Sequence, residues 1–368
     1  MNVELTPNTK RLFVANRKVI RSAFILSIFV LTALISTSSQ ATSGDLNGFD
    51  VPAGVTHVYT GVISGQKLIK NGAGTAKLSA TNTFTGGIDI NAGRICADTA
   101  GSLSTGIINF AASTPNTATL QALADIIITN GLNFINYATS DSNNDGKIDS
   151  NDNASAGGII IDSNGHTVAV SGQTKGTGAL SKIGTGSLTL SNGTNTNTGA
   201  INVLAGTFGA TNPAAIGGQI LPNTTKKTVP TLNLSDNTTF QPTVQPTVLP
   251  ADSTNKFRNT INFTGRVSIN VQDDGSVNTT AVLSGAITAF IATTGSLQVT
   301  PNITVSGRKT LTLSGKQTGA FTLSITGSGT KVSLAQSSTT ISTITQGAGT
   351  IFEAAAPGVT YIDTVIFG

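Results

Sequence analysis

The densest set of oxygen-bearing side chains in this sequence is Asp141-Ser-Asn-Asn-Asp-Gly-Lys-Ile-Asp-Ser-Asn-Asp152. Asp141, Asn143 and Asp145 stand at loop positions 1, 3 and 5, and Gly146 falls at position 6, where a calcium loop must turn sharply. Lys147 can offer its backbone carbonyl at position 7, and Asp149 and Asp152 occupy positions 9 and 12. This is the ligand order of an EF-hand-type loop and points to Ca2+ with a structural role. Position 12 is Asp rather than Glu, which shortens the bidentate reach. The flanks, Leu132–Ile135 and Ile159–Ile161, read as strands rather than paired helices. The expectation is a clamp that orders a loop, with no helix-opening switch. Four acids within twelve residues of a charge-poor chain repel one another unless a cation neutralises them.

Other chemistry is sparse. The groups that could serve acid–base catalysis are Asp273-Asp274, Gly165-His166 and Arg308-Lys309, with His57 isolated near the start. Polysaccharide-cleaving enzymes need such groups gathered on one groove, whereas His166 precedes Asp273 by more than a hundred residues. Asp273-Asp-Gly275 reads first as a turn. No Gly-Asp-Ser-Gly segment offers a serine nucleophile. The expectation is a non-enzyme, with no catalytic residue and no organic cofactor; a polysaccharide-active β-helix enzyme is the alternative of a different class. Cys96 stands alone and reads as a buried thiol, which excludes a disulfide framework or a cysteine metal site.

Composition explains this poverty. Only 10% of the 368 residues are charged, against about 25% in an average soluble domain. Gly contributes 41 residues and Trp none. Five of the 21 basic residues (Lys10, Arg11, Arg17, Lys18, Arg21) and one of the 17 acids (Glu4) precede residue 42, so the remainder is formally neutral. The high pI therefore belongs to the leader, and nucleic-acid binding through a basic surface is disfavoured. That leader joins its basic residues to the apolar run Ala23–Ile35, too short for a bilayer span of about 20 residues but matched to a signal-peptide core. Small Ser39 and Ala41 follow at the positions that direct cleavage. Residues 1–41 are thus expected to be a helical signal peptide cut after Ala41, and the chain to be exported.

The elements that must carry the remaining residues follow from a repeat. Leu68, Lys70, Gly72, Gly74, Leu78 and Ser79 match Leu180, Lys182, Gly184, Gly186, Leu190 and Ser191. After one inserted residue, Ile88, Ile90, Ala92 and Gly93 match Ile201, Val203, Ala205 and Gly206. A worn third copy runs from Ile325-Thr-Gly-Ser-Gly-Thr330 to Gly347-Ala-Gly-Thr-Ile351. Short alternations such as Ile88-Asp-Ile90 put apolar side chains on one face of a strand, and Gly/Asn corners separate them. One unit cannot bury its own apolar face, so units must stack. The expected fold is all-β, a right-handed parallel β-helix with Leu68, Leu78, Ile88, Ile90, Leu180, Leu188, Leu190, Ile201 and Val203 inward. Coils of about 20–25 residues would give roughly 13–16 of them, a rod some 60–75 Å long. A β-sandwich array is the rival architecture, because Ser163-Asn-Gly165 and Asp273-Asp-Gly275 resemble hairpin turns. Residues 222–250 hold five of the 11 prolines. The expected division is therefore 1–41 leader, 42–221 first β-helical segment with the 141–152 loop, 222–250 Pro/Thr-rich excursion or linker, and 251–368 second β-helical segment.

The Lys-x-Gly-x-Gly-x-x-x-Leu-Ser … Thr-Gly-Gly-Ile-x-Ile-x-Ala-Gly unit at 70–93 resembles the autotransporter-associated β-strand repeat of bacterial type V secreted passengers. The composition of the remainder resembles large surface antigens of rickettsial and related bacteria. The resemblance implies export, crossing of the outer membrane through a β-barrel translocator, a cell-surface, outer-membrane or secreted location, and adhesion to a host-cell surface protein or glycan. A barrel would require about 250 residues of alternating segments with aromatic girdles, and Gly347–Gly368 has only Phe352, Tyr361 and Phe367. The barrel is thus expected in another chain or missing, as in a split or truncated gene product. A purely structural surface-layer role is the alternative to adhesion.

Overall fold

The computed structural model describes residues 37–38, 49–111, 118–135, 159–218, 229–244, 256–273, 280–294, 297–307, 309–335, 341–354 and 364–367. Among them the chain winds as a parallel β-helix with three faces. Face one is a 12-stranded sheet and face two an 11-stranded sheet. Face three is carried by a six-stranded sheet in the first half and a five-stranded sheet in the second. The chain visits the faces in fixed order. Ile159–Asp162 lies on face one, Thr167–Val170 on face two, Thr174–Gly176 on face three, and Leu180–Ile183 is back on face one. Ile159–Asp162 and Thr167–Val170 pair in parallel with their counterparts one coil before and one coil after, and Thr174–Gly176, at the edge of its sheet, pairs with Leu132–Phe134 one coil before.

The alternation read from sequence is what drives this winding. In Ser187–Leu190 and Thr310–Leu313 alternate side chains are buried and half-buried, so stacking removes one apolar row per face from water. All nine residues expected inward are at most 1% exposed. The rival sandwich is excluded by the parallel register. Asn164 and Gly165 do form a positive-φ turn (49° and 85°), but it joins two faces of one coil, and the strands it connects pair with other coils. The described strands pair antiparallel at one place, Ala292–Thr294 with Leu297–Val299. This hairpin stands between Ile287–Phe290 on face one and Asn302–Ser306 on face two.

Coil length is not uniform. Leu68, Ile88 and Ile108 stack directly, a period of 20 residues. On face one of the second half, Asn202, Asn233, Asn262, Thr288 and Thr318 stack, so coils there take 26–31 residues. The expected count of 13–16 coils agrees with the stack: face one marks 12 levels, and Ile341–Gln346 and Thr364–Phe367 add two more on face two beyond Phe321–Ile325, so the described rod spans about 62 Å at about 4.8 Å per strand.

The 222–250 stretch also differs from the linker expectation where it is described. Leu232–Leu234 pairs with strands on both sides, Ile201–Val203 and Ile261–Thr264. Thr238–Val244 pairs with Thr207–Ala210 and Arg266–Asn270. Leu232, Leu234 and Phe240 are buried, and that burial outweighs the ladder bond lost at Pro242, which lies opposite Ala210. The two β-helical segments are thus joined by shared sheets.

Where a face lacks a regular strand, buried asparagines carry the coil-to-coil bonds. Asn195 accepts the Thr174 N–H (2.7 Å) and donates to the Ala215 carbonyl (2.7 Å), spanning three coils. Asn82 likewise accepts from Ile63 and donates to Ser102. Buried backbone groups stay paired there without a ladder.

Candidate functional site: the repeat corners

The Asp141–Asp152 ligand set (Asp141, Asn143, Asp145, Lys147, Asp149, Asp152) and residues 1–36 and 39–41 of the leader, Ser39 and Ala41 among them, lie outside the described residues. The strands flanking the loop are described. Leu132–Phe134 closes a coil on face three and Ile159–Asp162 opens the next on face one, as the sequence indicated. From the leader, Thr37–Ser38 pairs with His57–Val58 at the edge of face one.

The catalytic candidates are not brought together. His166 follows the face-one strand Ile159–Asp162, with Nδ1 3.7 Å from Asp125 Oδ1. Asp273 pairs with Val244. Four strand steps on face two separate Thr167–Val170 from Arg266–Asn270, about 19 Å along the axis. His57 lies beside Tyr59, whose hydroxyl is 3.5 Å from Nδ1. Arg308 lies outside the described residues, and Lys309 stands among them. Cys96 is buried, its Sγ donates to Gln121 Oε1 (3.1 Å), and burial pushes its thiol up to about 11, so it is held as an inert thiol.

The distinctive chemistry sits instead at the repeat corners, where sequence reading missed it. Lys70 occupies an inward row, stacked between Phe49 and Ile90, with Phe110 and Phe134 beyond. Lys182 lies likewise between Ile161 and Val203. Both residues are 0% exposed. Each ammonium bends out of the apolar row into a cage of oxygens at the corner. Lys70 Nζ donates to the carbonyls of Asn71, Gly72 (2.7 Å) and Ala92 (3.2 Å). Lys182 Nζ donates to the carbonyls of Ile183 (2.8 Å), Gly184 (2.7 Å) and Ala205 (3.1 Å), and to Ser163 Oγ (2.8 Å). The corner glycine follows from this geometry. Gly184 has φ 79°, and a Cβ there would lie 2.6 Å from Asp162 Oδ1; Gly72, at φ 69°, would meet Asp50 Oδ1 at 2.4 Å. Burial pulls both lysines from the ordinary 10.5 down to about 8, against the opposing charges of Asp50 and Asp162.

The two copies stand on different faces. Leu68–Asn71 and Thr75–Leu78 occupy faces three and one, whereas Leu180–Ile183 and Ser187–Leu190 occupy faces one and two. The repeat is a corner module, placed one face further round in the second copy. The worn copy solves the same corner differently. Ile325 stands where the lysine would, and the path to the next inward residue, Val332, is one residue longer. Thr330 turns inward there, and its hydroxyl donates to the Thr326 carbonyl (2.8 Å).

Outside the rod, polar rows run in register. Asn133 donates to Asn109 and Asn109 to Asp89; Asn262 donates to Asn233 and Asn233 to Asn202. Lys67 pairs with Asp89 at 2.7 Å and Lys331 with Glu353 at 2.7 Å.

Fold and corners define the class: a parallel β-solenoid whose repeats close around a caged lysine. Within that class the chain carries two repeats of the autotransporter-passenger kind, residues 68–95 and 180–208 matching the passenger-associated-transport-repeat family. No curated protein and no solved structure matches the chain.

Proposed function

We propose that this chain is an exported autotransporter-type passenger that presents a β-helical rod at the cell surface or outside the cell. An outer-membrane β-barrel translocator carries it there, and the rod touches a host-cell surface protein or glycan through its polar rows. The observation that carries this reading is the pair of passenger repeats embedded in a continuous parallel β-helix. The rod acts by contact rather than catalysis, and the separation of His57, His166 and Asp273 along the stack supports that. The test has two arms. N-terminal sequencing of envelope or medium fractions should begin at Thr42, and Met1 on cytoplasmic material would defeat export. Beads coated with the mature chain should bind host cells saturably; unsaturable, receptor-free association would leave a structural surface layer, and release of oligosaccharides from glycans would reveal an enzyme.

We further propose that Asp141, Asn143, Asp145, the Lys147 carbonyl, Asp149 and Asp152 bind Ca2+ and clamp the loop onto the rod. Support comes from the ligand order and from the framing of the loop by two paired strands. Calorimetry of the chain should show binding at about 10⁻⁴–10⁻³ M that Asp145→Ala abolishes. No heat and no rise in melting temperature at millimolar calcium would leave a solvated loop.

A further inference from the structure

The two caged lysines are buried ionisable groups that a surface-contact function does not use. Their bonds connect more than the turn in which they lie. Lys182 reaches Ser163 in the preceding coil, Ile183 and Gly184 in its own, and Ala205 in the following one. Lys70 reaches Asn71 and Gly72 in its own coil and Ala92 in the next, and Asp50 of the preceding coil acts on it through its charge. Ordinary ladder bonds tie one coil to one neighbour. At the worn corner the Thr330 hydroxyl donates to the Thr326 carbonyl within its own turn. Thr238, bonded to Ser235 (2.6 Å), and Thr350, bonded to Gly347 (2.7 Å), do the same.

We propose that Lys70 and Lys182 are coil locks: each holds one ammonium inside the rod and fastens adjoining coils at a corner, so that the two repeats are the sections most resistant to local opening. The ammonium suits this work because it has three donors on a flexible stem whose methylenes fill an apolar row. Removing it takes the donor from inward carbonyls in two coils at once, and buried acceptors left without donors destabilise both. Local opening of a solenoid spreads between nearest neighbours, so a bond set shared by successive coils couples their opening.

Native-state hydrogen exchange of the whole chain tests this, with Lys182→Met preserving volume without the ammonium. The reporting amides are Ser163, which donates to Ile183, Ser187 to His166, Leu204 to Lys182, and Thr207 to Gly186. All four should exchange about tenfold faster or more in the variant, while Asn91 and Arg94 at the other lock, and Lys331 near the worn corner, stay unchanged. An increase confined to residues 183–186, or one spread evenly along the rod, would overturn the proposal. If Lys182→Met does not fold, the unaltered chain still decides: Asn91, Arg94, Ser187 and Thr207 should exchange more slowly than Thr326 and Thr350, and the reverse order would refute the locks.

Discussion

A lysine in an apolar row is the least expected residue of this molecule, and its protonation should be visible in stability. Lys70 and Lys182 sit at about 8 when folded and return to about 10.5 when unfolded. The folded chain therefore releases these protons first. The cost of burying the ammonium is fully present below pH 8 and is relieved as pH rises from 8 to 10.5. Thermal melts across that window should show the unaltered chain gaining relative to Lys70→Met/Lys182→Met; a constant difference would show that the cages solvate the charge as well as water does. The inward leucines and isoleucines were legible because period-2 alternation has one physical cause. Lys70 and Lys182 were not, because lysine in an alternating segment reads as a solvated outward position. The signal that could have found them was present: the same Lys-x-Gly-x-Gly in both copies, a charge followed by a turn tight enough to fold carbonyls back toward it.

Among the elements, the strand Ser187–Leu190 gives the sharpest test of which way the faces point. Leu188 and Leu190 are 0% exposed, stacked between Val168 and Val170 on one side and Phe208 and Ala210 on the other. Leu190→Asp would bury an unpaired carboxylate, which costs several kcal/mol, and should abolish the cooperative unfolding transition. Thr189→Asp, one residue away on the half-buried outer side, should leave a melting curve close to that of the unaltered chain. Equal effects would mean that the sheet has no inner and outer side at this point. Strand identity was thus readable, but strand partnership was not, because the two copies of the repeat lie on different faces and pair with other strands rather than with each other. Between Val203 and Leu232 no repeat marks the coil, and prolines counterfeit a linker. The burial of Leu232, Leu234 and Phe240 and the pairing of their strands on both sides show that the stack continues.

For the whole molecule, stacking in which each strand pairs with those of the adjoining coils makes each coil nearly an independent layer. Ile88 stands on Leu68 and Ile108 on Ile88, and Thr75, Arg94 and Thr119 continue the neighbouring face. Deleting residues 88–107 should therefore let Ile108 take the place of Ile88 and give a shorter rod that still unfolds cooperatively, as circular dichroism melts would show. Loss of the transition would mean that coils are not interchangeable.

The displacement of the repeat by one face between its two copies carries this further. A module tied to one face could be gained or lost only in complete turns, because any other step would leave it facing the wrong way. A module that works at the third-to-first corner and again at the first-to-second corner is free of that restriction. Recombination within such a gene can cut and rejoin at any corner, and the product still has glycines where the chain bends and leucines where it must be dry. Length in such a chain becomes an easily varied trait, adjustable in thirds of a turn while the cross-section is inherited intact.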